Sequence, residues 1–233
     1  MLARNDPNLS RIERTFAEIV SLTDELTIVG GCAAGLLITD PAAPAVRPTF
    51  DVDLVVESAS YVEYSKLGVR LNALGFLQGT VHGDPICRWR KEDLVLDVMP
   101  LDESVLGFSS RWYRSAIGRR QTCRLPGGPL VHHIDAPHFL ATKLAAFESR
   151  GGGDFLGSHD LEDLIRVVDG RPGLVEELQS APAELRSFVS MGLSSITTDR
   201  FFQEAMPEYF GSGTTAVDRA RIVSGRLQKM IAV

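Results

Sequence analysis

Apolar positions near the start of the chain recur at steps of three and four: Leu9, Ile12, Phe16, Ile19 and Leu22. This spacing predicts an amphipathic helix, which Asp6 or Asn8 could cap. The short apolar run Leu26–Val29 then reaches Gly30–Gly31 and continues into Cys32–Ile38. An apolar run that stops at glycines and continues with small and apolar residues predicts a strand, a turn and a short helix.

The following residues carry strand and helix periodicities in turn. Asp51–Val56 starts with polar and apolar alternation and is β-branched, which predicts a strand that is half buried at its start and wholly buried at its end. Helical spacing covers Ala59–Leu74. Ile86–Arg90 and Leu94–Met99 are strand candidates, and the short connection between them predicts an antiparallel hairpin. Residues 1–135 are therefore predicted to form an α/β domain.

Past Pro137 the apolar residues recur almost only at helical spacing. The segments that favour helix are Phe139–Arg150, Leu161–Val168, Leu174–Leu178, Leu185–Met206 and Ala216–Ile231. Residues 136–233 are therefore predicted to form a helical domain. The predicted fold class is α+β, with an α/β N-terminal half followed by a C-terminal helical bundle.

The composition is that of a globular protein with a sizeable core: 233 residues, 44% hydrophobic and 23% charged. No apolar run approaches the ~20 residues that cross a bilayer, and the first residues do not resemble a signal peptide, so we expect a cytoplasmic protein without membrane contact. Cys32, Cys87 and Cys123 are odd in number and widely spaced. They favour reduced core thiols over a disulfide framework or a zinc site.

The formal net charge of −6 argues against broad nonspecific binding of nucleic acid. One segment differs, because residues 104–134 contain no acidic residue. Its arginines are Arg111, Arg114, Arg119, Arg120 and Arg124. Trp112 and Tyr113 lie among them, and basic residues beside aromatics suit phosphate contact with base stacking. The segment is a candidate RNA-binding surface, and the alternative is a solvated helix face with Trp112 turned to the core.

Three acidic residues are candidates for a metal site. Asp51 and Asp53 are two apart on a predicted strand, so their carboxylates share a face with Cα atoms roughly 6–7 Å apart. Their repulsion is relieved by a divalent cation, for which Mg²⁺ or Mn²⁺ with oxygen ligands is the natural choice. Asp97 is a lone charge in an apolar strand, and a neighbouring strand would bring it to the same ion. The alternative is a solvated strand face.

The Gly30–Gly31 turn supplies a candidate phosphate site. Glycines allow backbone N–H groups to approach phosphate oxygens, and the start of a helix adds positive potential. A purely structural turn is the alternative. The order of these features, from strand and Gly-Gly turn to helix, Asp-x-Asp strand and Asp-bearing hairpin, resembles the polymerase-β-like nucleotidyltransferases. That resemblance implies their mixed sheet.

A narrower resemblance rests on two motifs and a later pair of helices. Val29–Leu36 and Arg47–Leu54 are similar to the Gly-Gly and Arg-x-Ser/Thr-x-Asp-x-Asp-Leu signature of the AbiEii/AbiGii group, the nucleotidyltransferase-like toxins of type IV toxin–antitoxin systems. Lys143–Arg150 followed by Ser158–Asp163 is similar to the Lys-bearing and Asp-x-x-Asp helices of that group. The similarity extends roughly over residues 27–168.

The resemblance implies a Mg²⁺-dependent enzyme that moves a nucleoside monophosphate from an NTP to an acceptor hydroxyl and releases pyrophosphate. It implies metal ligands at Asp51, Asp53 and Asp97, with Asp97 also assisting deprotonation of the acceptor. The nucleotide-binding residues that it implies are Gly30, Gly31, Arg47, Thr49, Lys143 and Asp163.

Two of the implied roles have structural alternatives. Lys143 would neutralise the triphosphate, or it simply extends from an amphipathic helix. Asp160 would bind the metal-nucleotide or orient the acceptor, or it stabilises a helix N-terminus by roughly 0.3–1 kcal/mol. Asp163 suits a helix start in the same way.

The acceptor stays open at this stage. As a toxin, the protein would modify RNA, plausibly a tRNA 3′ end held by the arginine segment, and would have an antitoxin as partner. Transfer to a small molecule such as an aminoglycoside, or to a protein, uses the same chemistry, and the acidic chain suits a cationic acceptor. The alternative from another class is a catalytically silent nucleotidyltransferase-like module that only binds nucleotide or a protein partner.

Overall fold

The computed structural model describes residues 6–58, 60–79, 81–151 and 153–233. These residues form two compact units. The sheet unit contains residues 6–36 and 47–135, and the helical unit contains residues 37–46 and 136–233. Among the helices of the described chain, none is long and apolar enough to span a bilayer.

The sheet unit is built on a mixed sheet. Its strands are β1 Leu26–Ile28, β2 Val52–Val56, β3 Leu77–Gln78, β4 Arg88–Lys91, β5 Leu94–Pro100, β6 Gln121–Arg124 and β7 Leu130–His133. They lie in the order β3-β4-β5-β2-β1-β7-β6. The β1–β7 and β2–β5 pairs are parallel and the remaining pairs are antiparallel. The helices are α1 Leu9–Glu18, α2 Gly30–Leu37, α3 Tyr61–Ala73, α4 Glu103–Leu106 and α5 Tyr113–Ile117, with a 3₁₀ helix at Val20–Glu25.

The strands that carry the acidic residues lie at the centre of this sheet. Val52 and Leu54 of β2 and Leu96 and Val98 of β5 are fully buried. Asp53 is half-buried, so β2 is more exposed at its start than at its end, as predicted. The α+β class is confirmed. The helix predicted over Ala59–Leu74 corresponds to α3, and residue 59 itself lies outside the described residues.

The predicted hairpin is formed by β4 and β5. Arg88 pairs with Asp97 and Lys91 pairs with Leu94, so the connection between the strands is the two residues Glu92 and Asp93. Glu92 has a φ of 53°, a left-handed conformation that a residue with a Cβ adopts at a cost. This turn sets which residues of β4 lie opposite Asp97.

The helical unit contains α6 Ala136–Arg150, α7 His159–Gly170, α8 Leu174–Gln179, α9 Ala183–Thr198, α10 Arg200–Ala205 and α11 Thr214–Ile231, with a 3₁₀ helix at Met206–Phe210. The prediction of one continuous helix over Leu185–Met206 is wrong, because α9 ends at Thr198 and the backbone at Asp199 is extended. The Asp199 carboxylate accepts a hydrogen bond from the Phe201 amide at 2.7 Å and caps α10. Leu144, Leu164, Val189 and Leu227 belong to the core of this unit.

Residues 37–46, which were predicted to belong to the N-terminal domain, pack with the end of α7. The amides of Thr39 and Asp40 both donate to the Gly170 carbonyl at 2.9 Å. Arg171 donates to the Leu37 carbonyl at 2.6 Å. These bonds fix an otherwise irregular segment within the helical unit.

Replacing Glu92 by glycine is expected to stabilise the protein. Glycine adopts the left-handed conformation freely, so we expect the free energy of unfolding to rise by about 1 kcal/mol, measured by urea denaturation. Glu92→Ala is the matched control, because it removes the same charge but keeps a Cβ. An equal gain in both variants would assign the effect to charge and contradict a conformational origin.

Candidate functional site

The register of three neighbouring strands brings the predicted metal ligands to one face of the sheet. Asp53 of β2 lies beside Asp97 of β5 in the parallel pair, and Arg88 of β4 lies opposite Asp97 in the hairpin. Directly paired residues on adjacent strands share a face. Asp51, two residues before Asp53, reaches the same group of side chains through Arg88.

Arg88 bridges two of the three carboxylates. Its Nε donates to Asp97 Oδ1 at 2.8 Å and its Nη2 donates to Asp97 Oδ2 at 2.7 Å. The same Nη2 donates to Asp51 Oδ2 at 2.6 Å. The side chain of Asp97 is 12% exposed and that of Asp51 is 30% exposed, so both charges are partly withdrawn from water. One guanidinium nitrogen thus joins the carboxylate of Asp97 in β5 to that of Asp51, which lies directly before β2.

The pKa of Arg88 is raised, chiefly by its hydrogen bonds with Asp97, which outweigh the opposing effect of burial. Arginine is already protonated at any physiological pH. The guanidinium is therefore a permanent cation at this site, and it leaves the position between the carboxylates only by moving.

Asp53 packs against the glycine turn. Gly30 is the first residue of α2 and has a φ of 60°. A Cβ at Gly30 would lie 1.8 Å from Asp53 Oδ2, so both the conformation and the close approach require glycine. The Asp53 carbonyl also accepts a hydrogen bond from the Val29 amide at 2.9 Å. The start of α2 and the acid-bearing strand are therefore in direct contact.

The backbone that leads into Asp51 is held by a residue that sequence reasoning considered only as a helix cap. Asn8 is buried, its Oδ1 accepts from the Thr49 amide at 2.8 Å and its Nδ2 donates to the Arg47 carbonyl at 3.0 Å. The Thr49 hydroxyl donates to the Asp51 carbonyl at 3.2 Å. Thr49 therefore positions the backbone at Asp51. The role of Thr49 in binding nucleotide stays a prediction.

Cys32 is the thiol next to this segment. Its Sγ lies 3.0 Å from the Thr49 hydroxyl. Burial raises the pKa of Cys32 to about 12, so the group is a neutral thiol at physiological pH. It is a packing residue, in agreement with the expected reduced core cysteines.

The acidic residues fit a divalent cation in their chemistry. Across the described parts of the chain, no three His, Cys, Asp or Glu side chains are grouped closely enough to hold a metal ion as they stand. Asp51 and Asp97 nevertheless direct an oxygen each at one cationic nitrogen, 2.6 and 2.7 Å away. Carboxylate oxygens that already converge on a cation are the ligands that Mg²⁺ and Mn²⁺ prefer.

Lys143, Asp160 and Asp163, which the resemblance also marks as site residues, form a cluster in the helical unit. Lys143 of α6 is 7% exposed at its side chain, and its Nζ lies 3.1 Å from Asp160 Oδ1 and 2.7 Å from Asp163 Oδ2. Arg150 completes the cluster with two hydrogen bonds to Asp160, at 2.8 and 2.9 Å. Ser158 caps the start of α7, which carries both carboxylates. The cation of Lys143 is thus paired twice within the protein.

The charges of this cluster stabilise one another. Burial alone would lower the pKa of Lys143, but Asp163 and Asp160 together raise it above its ordinary value. Burial alone would raise the pKa of Asp160, but Lys143 and Arg150 together lower it. Both groups are therefore charged at neutral pH, and the contact of Lys143 with a triphosphate stays a prediction.

The arginines of the predicted surface lie before, within and after α5 and at the end of β6, and most of their side chains bind protein groups. Arg111 lies over the Trp112 ring at 4.7 Å, and Trp112 is buried, as the structural alternative expected. Arg119 pairs with Asp135 at 3.5 Å. The remaining arginine contacts are Arg114 with Asp102, Arg120 with the Asp24 carbonyl and Arg124 with the Gly128 carbonyl. RNA binding by this segment stays a prediction.

Known proteins give structural similarity only. No family model matches this sequence, and no curated protein matches it. An antigenic nucleotidyltransferase-like protein from Paracoccidioides brasiliensis is 20% identical, with a TM-score of 0.48 over 88% of this chain and 93% of its own. The antibiotic-resistance factor ANT(2'')-Ia is 15% identical, with a TM-score of 0.47 over 84% and 97%. JHP933 from Helicobacter pylori is 13% identical, with a TM-score of 0.45 over 100% and 94%.

Breaking the buried cluster is expected to destabilise the helical unit. Asp163→Ala leaves Lys143 with one fewer partner in a site from which water is largely excluded, so we expect a loss of about 3 kcal/mol in the free energy of unfolding. Thermal or urea denaturation followed by circular dichroism measures it. Arg150→Gln is the control, because the Arg150 side chain is 70% exposed and its loss should cost under about 1 kcal/mol. Equal losses would contradict the burial argument.

The lowered pKa of Asp160 predicts a loss of stability in acid. The folded state keeps this carboxylate charged at a pH where the unfolded chain binds a proton, so its contribution is complete above the ordinary value near 4 and is lost as pH falls through the folded pKa. Urea denaturation at pH 5, 4 and 3 should show the loss, with a shallower slope in Asp160→Asn. Parallel slopes in the two proteins would remove Asp160 as the cause.

Proposed function

We propose that this protein is a divalent-metal-dependent nucleotidyltransferase, which transfers a nucleoside monophosphate from an NTP to an acceptor hydroxyl. One observation carries the proposal. Asp51 and Asp97 both accept hydrogen bonds from the guanidinium of Arg88. Asp53 lies in register beside Asp97 and packs against Gly30, the glycine that begins α2. This arrangement offers oxygen ligands and backbone N–H groups at one place, as a metal-bound triphosphate requires.

Each element has a role in the proposal. Asp51, Asp53 and Asp97 would hold Mg²⁺ or Mn²⁺, which when bound polarises phosphate oxygens. The amides at Gly30 and Gly31 would contact phosphate oxygens, assisted by the positive potential of the helix start. Asn8 and Thr49 keep the segment before β2 in place, so the carboxylate of Asp51 is presented from a fixed backbone.

The transfer step balances with these residues. The acceptor oxygen forms a bond to the α-phosphorus while the bond from that phosphorus to the bridging oxygen breaks, and pyrophosphate leaves with the electron pair. The acceptor proton passes to a carboxylate, which is Asp97 by the resemblance to the wider superfamily. Asp97 performs this role only after it has been released from Arg88, which holds both of its oxygens.

RNA, with a tRNA 3′ end as the acceptor hydroxyl, is the first acceptor in the proposal, and a toxin role with an antitoxin partner goes with it. The support is the similarity of the Gly-Gly and Asp-x-Asp motifs to the AbiEii/AbiGii group, together with the five arginines between residues 111 and 124. A cationic small molecule of the aminoglycoside type is the second candidate. The formal net charge of −6 favours it.

A transfer assay tests the reaction and separates the acceptors. The purified chain is incubated with labelled NTPs and Mg²⁺ or Mn²⁺, with total tRNA in one arm and a panel of aminoglycosides in the other. Label in RNA, with binding that weakens steeply as salt rises, supports the first acceptor, and label in a small molecule supports the second. Nucleotide binding without transfer to either would favour the silent module.

Replacing Asp53 by asparagine is expected to abolish transfer without unfolding the protein. The variant keeps the shape of the side chain but removes a negative charge from a site where carboxylates repel each other, so stability should be unchanged or higher. Label transfer and thermal unfolding are measured together. Asp24→Asn is the matched control, since Asp24 is a fully exposed carboxylate in the same unit. Unchanged turnover in Asp53→Asn would reject the metal assignment.

A further inference from the structure

Arg88 is a permanent cation that lies where the proposed reaction needs a metal ion. Its three hydrogen bonds engage both oxygens of Asp97 and one oxygen of Asp51. A divalent ion bound between the same two carboxylates would take the position of the guanidinium, with its oxygen ligands at about 2.1 Å instead of the 2.6–2.7 Å that now separate Nη2 from those oxygens. Two cations cannot share these oxygens without strong repulsion.

We propose that Arg88 is a latch that competes with the divalent ion for Asp51 and Asp97, so that the metal site opens only when the guanidinium moves away. This inference rests on the proposed function and adds an order of events to it. In the free protein the latch neutralises the carboxylates and keeps metal affinity low. Metal then binds together with the nucleotide rather than before it.

The structure gives the latch a means of release. The Arg88 side chain is 22% exposed, so it reaches solvent and is not sealed in the core. A guanidinium binds phosphate as well as carboxylate, with the same two-pronged geometry. An arriving triphosphate therefore brings both a metal ion for the carboxylates and a new partner for Arg88, and the exchange leaves every charge paired.

The neighbouring Arg90 shows that the contact is specific to position 88. Arg90 is two residues further along β4 and therefore on the same face of the strand. It pairs with Asp84 instead, through hydrogen bonds of 2.7 and 2.8 Å. Arg88→Gln and Arg90→Gln thus remove the same charge from the same strand, and only the first frees Asp51 and Asp97.

Metal binding tests the latch directly. Mn²⁺ is titrated into the wild type, Arg88→Gln and Arg90→Gln, and free Mn²⁺ is read by electron paramagnetic resonance without nucleotide. Loss of charge-assisted hydrogen bonds that compete with the ion should tighten binding about tenfold in Arg88→Gln, with Arg90→Gln within about twofold of the wild type. A non-hydrolysable NTP analogue should tighten binding in the wild type and much less in Arg88→Gln.

Each outcome decides something. Unchanged or weaker Mn²⁺ binding in Arg88→Gln overturns the latch. The proposed function is kept in that case if the single substitution Asp53→Asn abolishes Mn²⁺ binding. Absence of Mn²⁺ binding in every protein, with and without the analogue, overturns both. If Arg88→Gln does not fold, Arg88→Lys decides, because one ammonium cannot span both carboxylates: tighter binding supports the latch and equal binding rejects it.

Discussion

Repulsion between carboxylates on adjoining strands is the constraint around which the sheet unit is arranged. The parallel register of β2 and β5 sets Asp53 directly beside Asp97, and at such separations two partly buried anions destabilise each other unless a cation intervenes. Two positive groups reduce this repulsion. The guanidinium of Arg88 lies between Asp51 and Asp97, and the positive end of α2 lies next to Asp53.

Features of the fold that depend on local signals were predictable, and those that depend on distant pairing were not. The strand, glycine turn and helix around Gly30 follow from adjacent residues, as does the hairpin of β4 and β5. The edge strands β3 and β6 are short and largely exposed, so they lack the alternation that marks a half-buried strand. The break at Asp199 was missed because apolar spacing continues across it, whereas the extended backbone and the capping bond of this single residue separate the two helices.

The candidate site shows the same division. Asp51 and Asp53 were selected by their spacing and Asp97 as a lone charge in an apolar strand, and adjacent strands were the expected way to bring them together. Their role as metal ligands stays a prediction. The position of Arg88 was predictable but was not predicted. A two-residue turn at Glu92–Asp93 implies that position 88 lies opposite Asp97. The hydrogen bond from the Thr49 amide to the Asn8 side chain joins positions 41 residues apart. No sequence pattern predicts such a bond. Lys143, Asp160 and Asp163 were grouped by resemblance, and their mutual pairing emerged only from packing.

The course of the chain through residues 37–46 has a consequence for how the two units can be studied. These residues hydrogen-bond to the end of α7, yet they are flanked on both sides by segments of the sheet unit. If the chain were divided only after residue 135, the N-terminal fragment would contain residues 37–46 without their hydrogen-bond partners. The C-terminal fragment would expose the Gly170 carbonyl and the Arg171 side chain, which bind those residues. To isolate the sheet unit, residues 37–46 have to be replaced by a short linker. To isolate the helical unit, residues 37–46 have to be added to the fragment that begins at residue 136.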